Sequence, residues 1–160
     1  MSDLLKEIYG GHRQGLFSLA LAITGSRQSA EDAVHDAFTK LIGRKPPVGD
    51  AISYVFKTVR HSAIDIHRRE QRGQKLSESL FNGFLPSEES VDPAGEILNK
   101  ERDLILRKAI DNLPENEREA IVLKAVAGLT FQQAGNVMGI PAKTIASRYR
   151  RGLERLENHL

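Results

Sequence analysis

Lys143, Thr144, Ser147 and Arg148 carry the groups that read base edges. Lysine and arginine pair with guanine, and hydroxyls donate to or accept from any base. All four would face outward from the segment that carries them. Arg150, Arg151 and Arg155 follow and suit phosphate contacts. The available chemistry is hydrogen bonding and ion pairing with a polyanion. No Gly-rich phosphate loop, nucleophile elbow or paired-carboxylate arrangement is present, so an enzyme is not expected. His12, His35, His61, His67 and His159 show no metal-ligand spacing. Neither a metal nor a cofactor is expected.

The elements that must hold those side chains can be read residue by residue. Thr130 followed three residues later by Gln133 forms a capping-box pattern, which starts a helix at Phe131. Gly139 supplies the left-handed conformation that ends it, and Pro141 suits the first turn of the next helix. Gly135 sits where crossing helices approach closely. Val137, Ile140 and Ile145 fill a small core, with Tyr149 in the core or at the groove edge. Two short helices around a tight turn make a helix-turn-helix, whose second helix enters the major groove of DNA. The plainer reading of this segment alone is a helical hairpin with a solvated basic end.

The chain has 160 residues, net charge +2 and no cysteine, which removes disulfides and cysteine zinc sites and fits a reducing cytoplasm. No apolar run reaches the ~20 residues that span a membrane, and a signal-peptide pattern is lacking, so a soluble cytoplasmic protein is expected. Charge is uneven. Residues 57–75 are basic, 76–103 acidic and 143–155 basic again. Two basic patches around an acidic connector suggest two contacts with a polyanion.

Strand signals are nearly absent, so the expected class is all-α. A first helix spans about 3–23, with a break possible at Gly10. Ser29 with Asp32 resembles a capping box that starts a second, ending near Ile42. The stretch 45–49 stops it, and a third runs over 50–71 on Ile52, Val55, Phe56, Val59, Ala63 and Ile66. Residues 73–93 lose the period and read as a linker, although Leu80, Phe81, Phe84 and Leu85 suggest that it docks on something. Helices over about 94–112 and 114–127 precede the hairpin. The expected organisation is two small helical domains, 1–72 and 94–160, each small enough to be marginal alone.

Three segments carry a family resemblance. Residues 30–38, AEDAVHDAF, look like the acidic helix of bacterial sigma-70 factors. Residues 54–69 resemble the following helix in the extracytoplasmic-function (ECF) subfamily. Leu113-Pro114, Arg118, Leu123 and the hairpin through Arg148 resemble its C-terminal domain. The resemblance implies a sigma factor, not an enzyme, that binds core RNA polymerase and promoter DNA. It implies that domain 1–72 grips polymerase and captures the −10 strand, and that domain 94–160 reads the −35 duplex. The −35 residues are then Lys143, Thr144, Ser147, Arg148, Arg150 and Arg151. The −10 residues are Arg60, His61, Asp65, Arg68 and Arg69, and the polymerase-binding residues are Glu31, Asp32, His35, Asp36 and Phe38. A regulating anti-sigma factor is expected, with the chain monomeric when free or 1:1 with that factor.

Four departures from the subfamily pattern stand out. Tyr54 replaces a common Trp, His35 a common Gln, His61 a common Asn in the −10 loop, and Gln133-Ala134-Gly135 the usual Glu-Ile-Ala. Two other readings compete. A stand-alone helix-turn-helix regulator binding operator DNA as a dimer leaves residues 30–38 and 57–75 without a purpose. A protein-interaction adaptor that binds no DNA is at odds with Arg68, Arg69, Lys143 and Arg148.

Overall fold

Seven α-helices and one π-helical stretch, with no strand, make up the regular structure of the residues described by the computed structural model, 2–47, 49–73 and 93–159. In chain order these are α1 (Asp3–Thr24), α2 (Arg27–Leu41), α3 (Ala51–Gly73), α4 (Pro93–Asp111) and α5 (Glu115–Ile121). The π-helical Val122–Val126, α6 (Phe131–Met138) and α7 (Ala142–His159) complete the order. Leu80, Phe81, Phe84 and Leu85 lie outside the described residues. No helix among those described is long and apolar enough to cross a membrane.

Helix α1 runs unbroken through Gly10 and Gly11, contrary to the break considered at Gly10. Each glycine costs about 0.5–1 kcal/mol in a helix. The buried stripe of Leu5, Ile8, Leu16, Leu19 and Ile23 outweighs that, at about 1.5–3 kcal/mol for each large side chain removed from water. Gly25, at φ 73°, ends the helix. The cap of α2 is Ser26 rather than Ser29: Ser26 Oγ accepts the Ser29 amide at 3.3 Å. Ser29 sits one turn inside, and its hydroxyl bonds Glu70 Oε1 on α3, which no local pattern could show.

The single helix expected over 114–127 is instead α5 followed by the π-helical stretch, where the Ala127 amide reaches back to Val122 O at 2.9 Å. Ala120, Ile121, Val122 and Leu123 are all buried, so this segment is covered on more than one side. A π-bulge is a common device where helical periodicity must slip. Helices α1–α3 form one helical unit and α4–α7 a second, in keeping with two helical domains. Their cores are not separate. One apolar cluster joins Leu16, Leu19, Phe56 and Val59 of the first unit to Val122, Leu123, Leu129, Ala134, Val137 and Ile145 of the second. A smaller cluster of Ala109, Ile110, Leu113, Ile121 and Leu156 seats α4 and α7 on α5.

Arg118 is the polar staple of the second unit. Its guanidinium donates to the carbonyls of Asp111 and Leu113 at 2.9 Å each, and to that of Ile110 at 3.3 Å. It also reaches Ala22 O at the end of α1 at 3.2 Å. A cation at two helix C-termini satisfies carbonyls that have no partner in their own helix.

Candidate nucleic-acid interface

The hairpin forms as its sequence dictates. Thr130 Oγ1 accepts the Gln133 amide at 3.0 Å and Gln133 Oε1 accepts the Thr130 amide at 2.9 Å, closing the capping box that starts α6. Gly139 sits at φ 72° and ends it. The turn then folds tightly over Gly135: a Cβ there would lie 2.6 Å from Ile140 O and 3.2 Å from Ala142 N. Only glycine admits that approach. The close neighbour is thus the turn backbone itself, a tighter constraint than two helices crossing.

Helix α7 is held against α5 along one stripe. Ile145, Gly152 and Leu156 are buried, and a Cβ on Gly152 would lie 3.0 Å from Ile121 Cγ1. Arg155 Nε meets the buried carboxylate of Glu117 at 2.8 Å. Arg155 therefore anchors the helix to its support instead of standing free for a phosphate. Tyr149 packs edge-on to Phe131 at 5.7 Å, and Lys124 Nζ lies 4.9 Å from the same ring, so Tyr149 belongs to the support.

The opposite face of α7 carries the candidate −35 residues. Lys143, Arg150 and Arg151 are exposed, while Thr144, Ser147 and Arg148 are half-buried at the rim. Arg151 Nη2 donates to Ser147 Oγ at 3.3 Å, bringing two of these together.

In the first unit, Glu31, Asp32 and His35 stand exposed on α2. Asp36 is paired with Lys40 at 3.0 Å. That hydrogen-bonded cation holds its carboxyl below the usual range, against some burial and with help from Ser62 and Arg69. Phe38 differs from the expectation of a polymerase contact: it is 8 % exposed and packs edge-on to Tyr9 at 5.2 Å, because its position falls on the buried stripe with Ala30, Ala33, Ala37 and Leu41. It shapes the α2 surface from beneath.

The candidate −10 residues lie on α3. His61, Asp65, Arg68 and Arg69 are exposed. Burial pushes the His61 pKa down, as do the positive charges of Lys57, Arg60 and Lys40, while Asp65 opposes them. Lys57, the first cation of the 57–75 basic patch, and Lys40 thus join this face, although neither was among the candidate −10 residues. Lys57 was visible one turn before His61, whereas Lys40 arrives from α2 and could not be read from spacing. Arg60 differs from its expected role as a free phosphate contact. Its Nε is 3.1 Å from Glu119 Oε2 on α5, with the two side chains 21 % and 3 % exposed. Among the described residues, no group of three or more His, Cys, Asp or Glu side chains could hold a metal ion.

Comparison with known proteins agrees with this geometry. The sequence matches the family models for Sigma-70 region 2 over residues 8–73 and for Sigma-70, region 4 over residues 103–156. It is 27 % identical to the ECF RNA polymerase sigma factor SigE of Mycolicibacterium smegmatis, covering 96 % of this chain and 60 % of that one. Against the ECF RNA polymerase sigma factor SigM of Bacillus subtilis the identity is 25 %, covering 96 % and 95 %. The fold resembles that of the sigma factor RpoE of Bartonella quintana, solved in complex with the anti-sigma factor NepR. That match has a TM-score of 0.74 at 20 % identity and covers 99 % of this chain and 97 % of that one. With both regions matched in order and ECF relatives along nearly its whole length, the chain belongs to the ECF subfamily of the sigma-70 family.

Proposed function

We propose that this chain binds core RNA polymerase and directs initiation at promoters by contacting a −35 and a −10 element. The observation that carries the reading is the cationic and hydrogen-bonding face of α7 in one helical unit and the cationic exposed end of α3 in the other. Lys143, Thr144, Ser147 and Arg148 are assigned to −35 base edges and nearby backbone, with Arg150 and Arg151 on phosphates. His61 and Asp65 are assigned to the −10 strand, with Arg68, Arg69 and Lys57 on its backbone. Glu31, Asp32, His35 and Asp36 offer an acidic edge to polymerase. An anti-sigma factor is the proposed regulator, by analogy with the complex of the Bartonella quintana protein. The site of action is then the cytoplasm.

Reconstitution with bacterial core polymerase and genomic promoter fragments tests the proposal. Co-purification with core and specific initiation are expected. A chain that does neither overturns this reading.

A further inference from the structure

A cavity of about 660 Å³ lies between the N-terminal half of α1, the stretch leading into α3 and the start of α6. Small-molecule sites occupy about 300–1,000 Å³, so a compact organic ligand fits. Leu4, Glu7, Ile8 and Gly11 line it at the three- and four-residue spacing of one helical face. Pro46, Pro47 and Ile52 supply the rest of the apolar wall, and the prolines stiffen it.

Gly11 has no packing reason to be glycine. Its φ is not positive, and a Cβ on it would meet nothing within 4 Å. At Gly15, by contrast, a Cβ would lie 2.7 Å from Ala127 Cβ, and at Gly135 2.6 Å from Ile140 O. A glycine inside a helix is less stable than alanine, so Gly11 weakens α1 without relieving any clash. What its missing side chain provides is open space in the cavity wall.

The polar groups in the wall have one sign. Glu7 and Asp50 are carboxylates, and none of the described residues lining the cavity is lysine or arginine, in a chain that holds 23 of them. Asp50 is fixed in place. Its Oδ1 accepts the Ser53 amide at 3.3 Å and its Oδ2 accepts Asn136 Nδ2 at 2.6 Å. A carboxylate has about four lone-pair sites, so two remain for a ligand. His12, half-buried, is held edge-on to Phe56 at 5.6 Å and adds a ring beside them. Apolar walls lower the local dielectric and strengthen attraction to a cation.

We propose that this cavity binds a small primary ammonium with an apolar body. The ammonium carries three donors for Glu7 and Asp50, and the body lies among Ile8, Gly11, Pro47 and Ile52. An anion is repelled by both carboxylates, and a neutral apolar molecule leaves them without the charge they suit. The site uses none of the candidate DNA or polymerase residues and does not depend on the sigma-factor reading. His61 lies ten positions beyond Ala51, about 15 Å further along α3.

Phenethylamine titrated into the isotope-labelled full chain, followed by amide NMR, tests the proposal. Saturable shifts are expected at Gly11, His12, Asp50, Ala51 and Gln133. Phenethyl alcohol should bind roughly tenfold more weakly, as befits loss of a charged hydrogen bond, and hydrocinnamate should not saturate. Gly11→Leu removes a helix glycine and fills the cavity, and should weaken the amine by roughly tenfold or more. Glu7→Gln, at an exposed position, should weaken the amine several-fold and leave the alcohol unchanged. It decides the matter if Gly11→Leu does not fold. Shifts that do not saturate or that spread over the whole surface overturn the proposal. So do equal affinities for amine and alcohol, or an amine affinity unchanged in a folded variant.

Discussion

Arg155 Nε lies 2.8 Å from Glu117 Oε2, a carboxylate 5 % exposed, and this pair ties the C-terminal half of α7 to α5. A charge of this kind looks in sequence like one more phosphate contact at the end of a basic helix. The structure separates the two roles. Arg155→Ala should strand the Glu117 charge and cost about 1–3 kcal/mol of stability. The slope of log K against log salt for duplex binding should stay unchanged. Had Arg155 contacted a phosphate, the slope would drop by about 1. Urea denaturation and a salt titration of the same variant distinguish the outcomes.

Gly135 offers a second test of how the reader is held. Alanine would favour helix α6 by about 0.5–1 kcal/mol in isolation. Here its Cβ would enter the turn backbone, 2.6 Å from Ile140 O, and backbone cannot swing aside as a side chain can. Gly135→Ala should therefore be net destabilising by about 1–3 kcal/mol. A denaturation midpoint equal to or above that of the parent would show that the turn relaxes at no cost.

Arg148 occupies the rim of the exposed α7 face and is half-buried. If it reads a base, Arg148→Ala should weaken duplex binding by about 1–3 kcal/mol and relax preference at one position of the −35 element. Arg150→Ala should instead weaken all duplexes alike. Fluorescence anisotropy over a set of single-base variants measures both. An unaltered −35 preference in Arg148→Ala would remove that assignment.

Two carboxyls give opposite signs to the pH dependence of stability. Burial raises the Glu119 carboxyl, and the Arg60 guanidinium offsets only part of that. A group that binds its proton more tightly when folded stabilises most when protonated. Its contribution is therefore present below the unfolded value of about 4.3 and declines as pH rises toward the raised folded one. Asp36, lowered by Lys40, has the reverse sign. Its contribution holds above the unfolded value of about 3.9 and disappears as pH falls through the lowered one. Glu119→Gln should flatten the decline above about pH 4.3, and Asp36→Asn should flatten the acid limb. Tm measured against pH for the three proteins checks this. Profiles that merely shift in parallel would refute both assignments.

What was legible in the sequence was what local chemistry decides. Thr130 with Gln133, and the left-handed Gly139, are patterns within one turn of chain, and each formed as read. Glu31, Asp32 and His35, named from the family resemblance, stand exposed on α2. Arg60 is claimed by a residue distant in sequence, Glu119, and the Ser29 hydroxyl by Glu70. Phe38 instead follows the buried stripe of its own helix, and the start of α2 is set by Ser26 close by. Nothing within a turn of Arg60 announces Glu119. The same holds for the shared core, because Gly15 and Ala127 are unremarkable until the two units meet.

His61 is where the proposed −10 face responds to pH. Burial and the nearby charges of Lys57, Arg60 and Lys40 push its pKa down and so favour the neutral ring, and the Asp65 carboxylate opposes them only in part. A bound phosphate adds negative charge to that neighbourhood and raises the value again, so binding takes up a proton. Affinity for single-stranded −10 DNA should therefore rise as pH falls through the window below the ordinary histidine value of about 6.5. His61→Asn cannot take up that proton and should leave the affinity flat over the same range. It should also shift base preference at −10, because an amide presents donor and acceptor together where the ring presents them on opposite sides. Anisotropy at pH 5.5 and 7.5 with a panel of −10 oligonucleotides measures both effects. If wild type and His61→Asn titrate alike and select the same bases, His61 is a bystander and reading passes to Asp65 and the arginines around it.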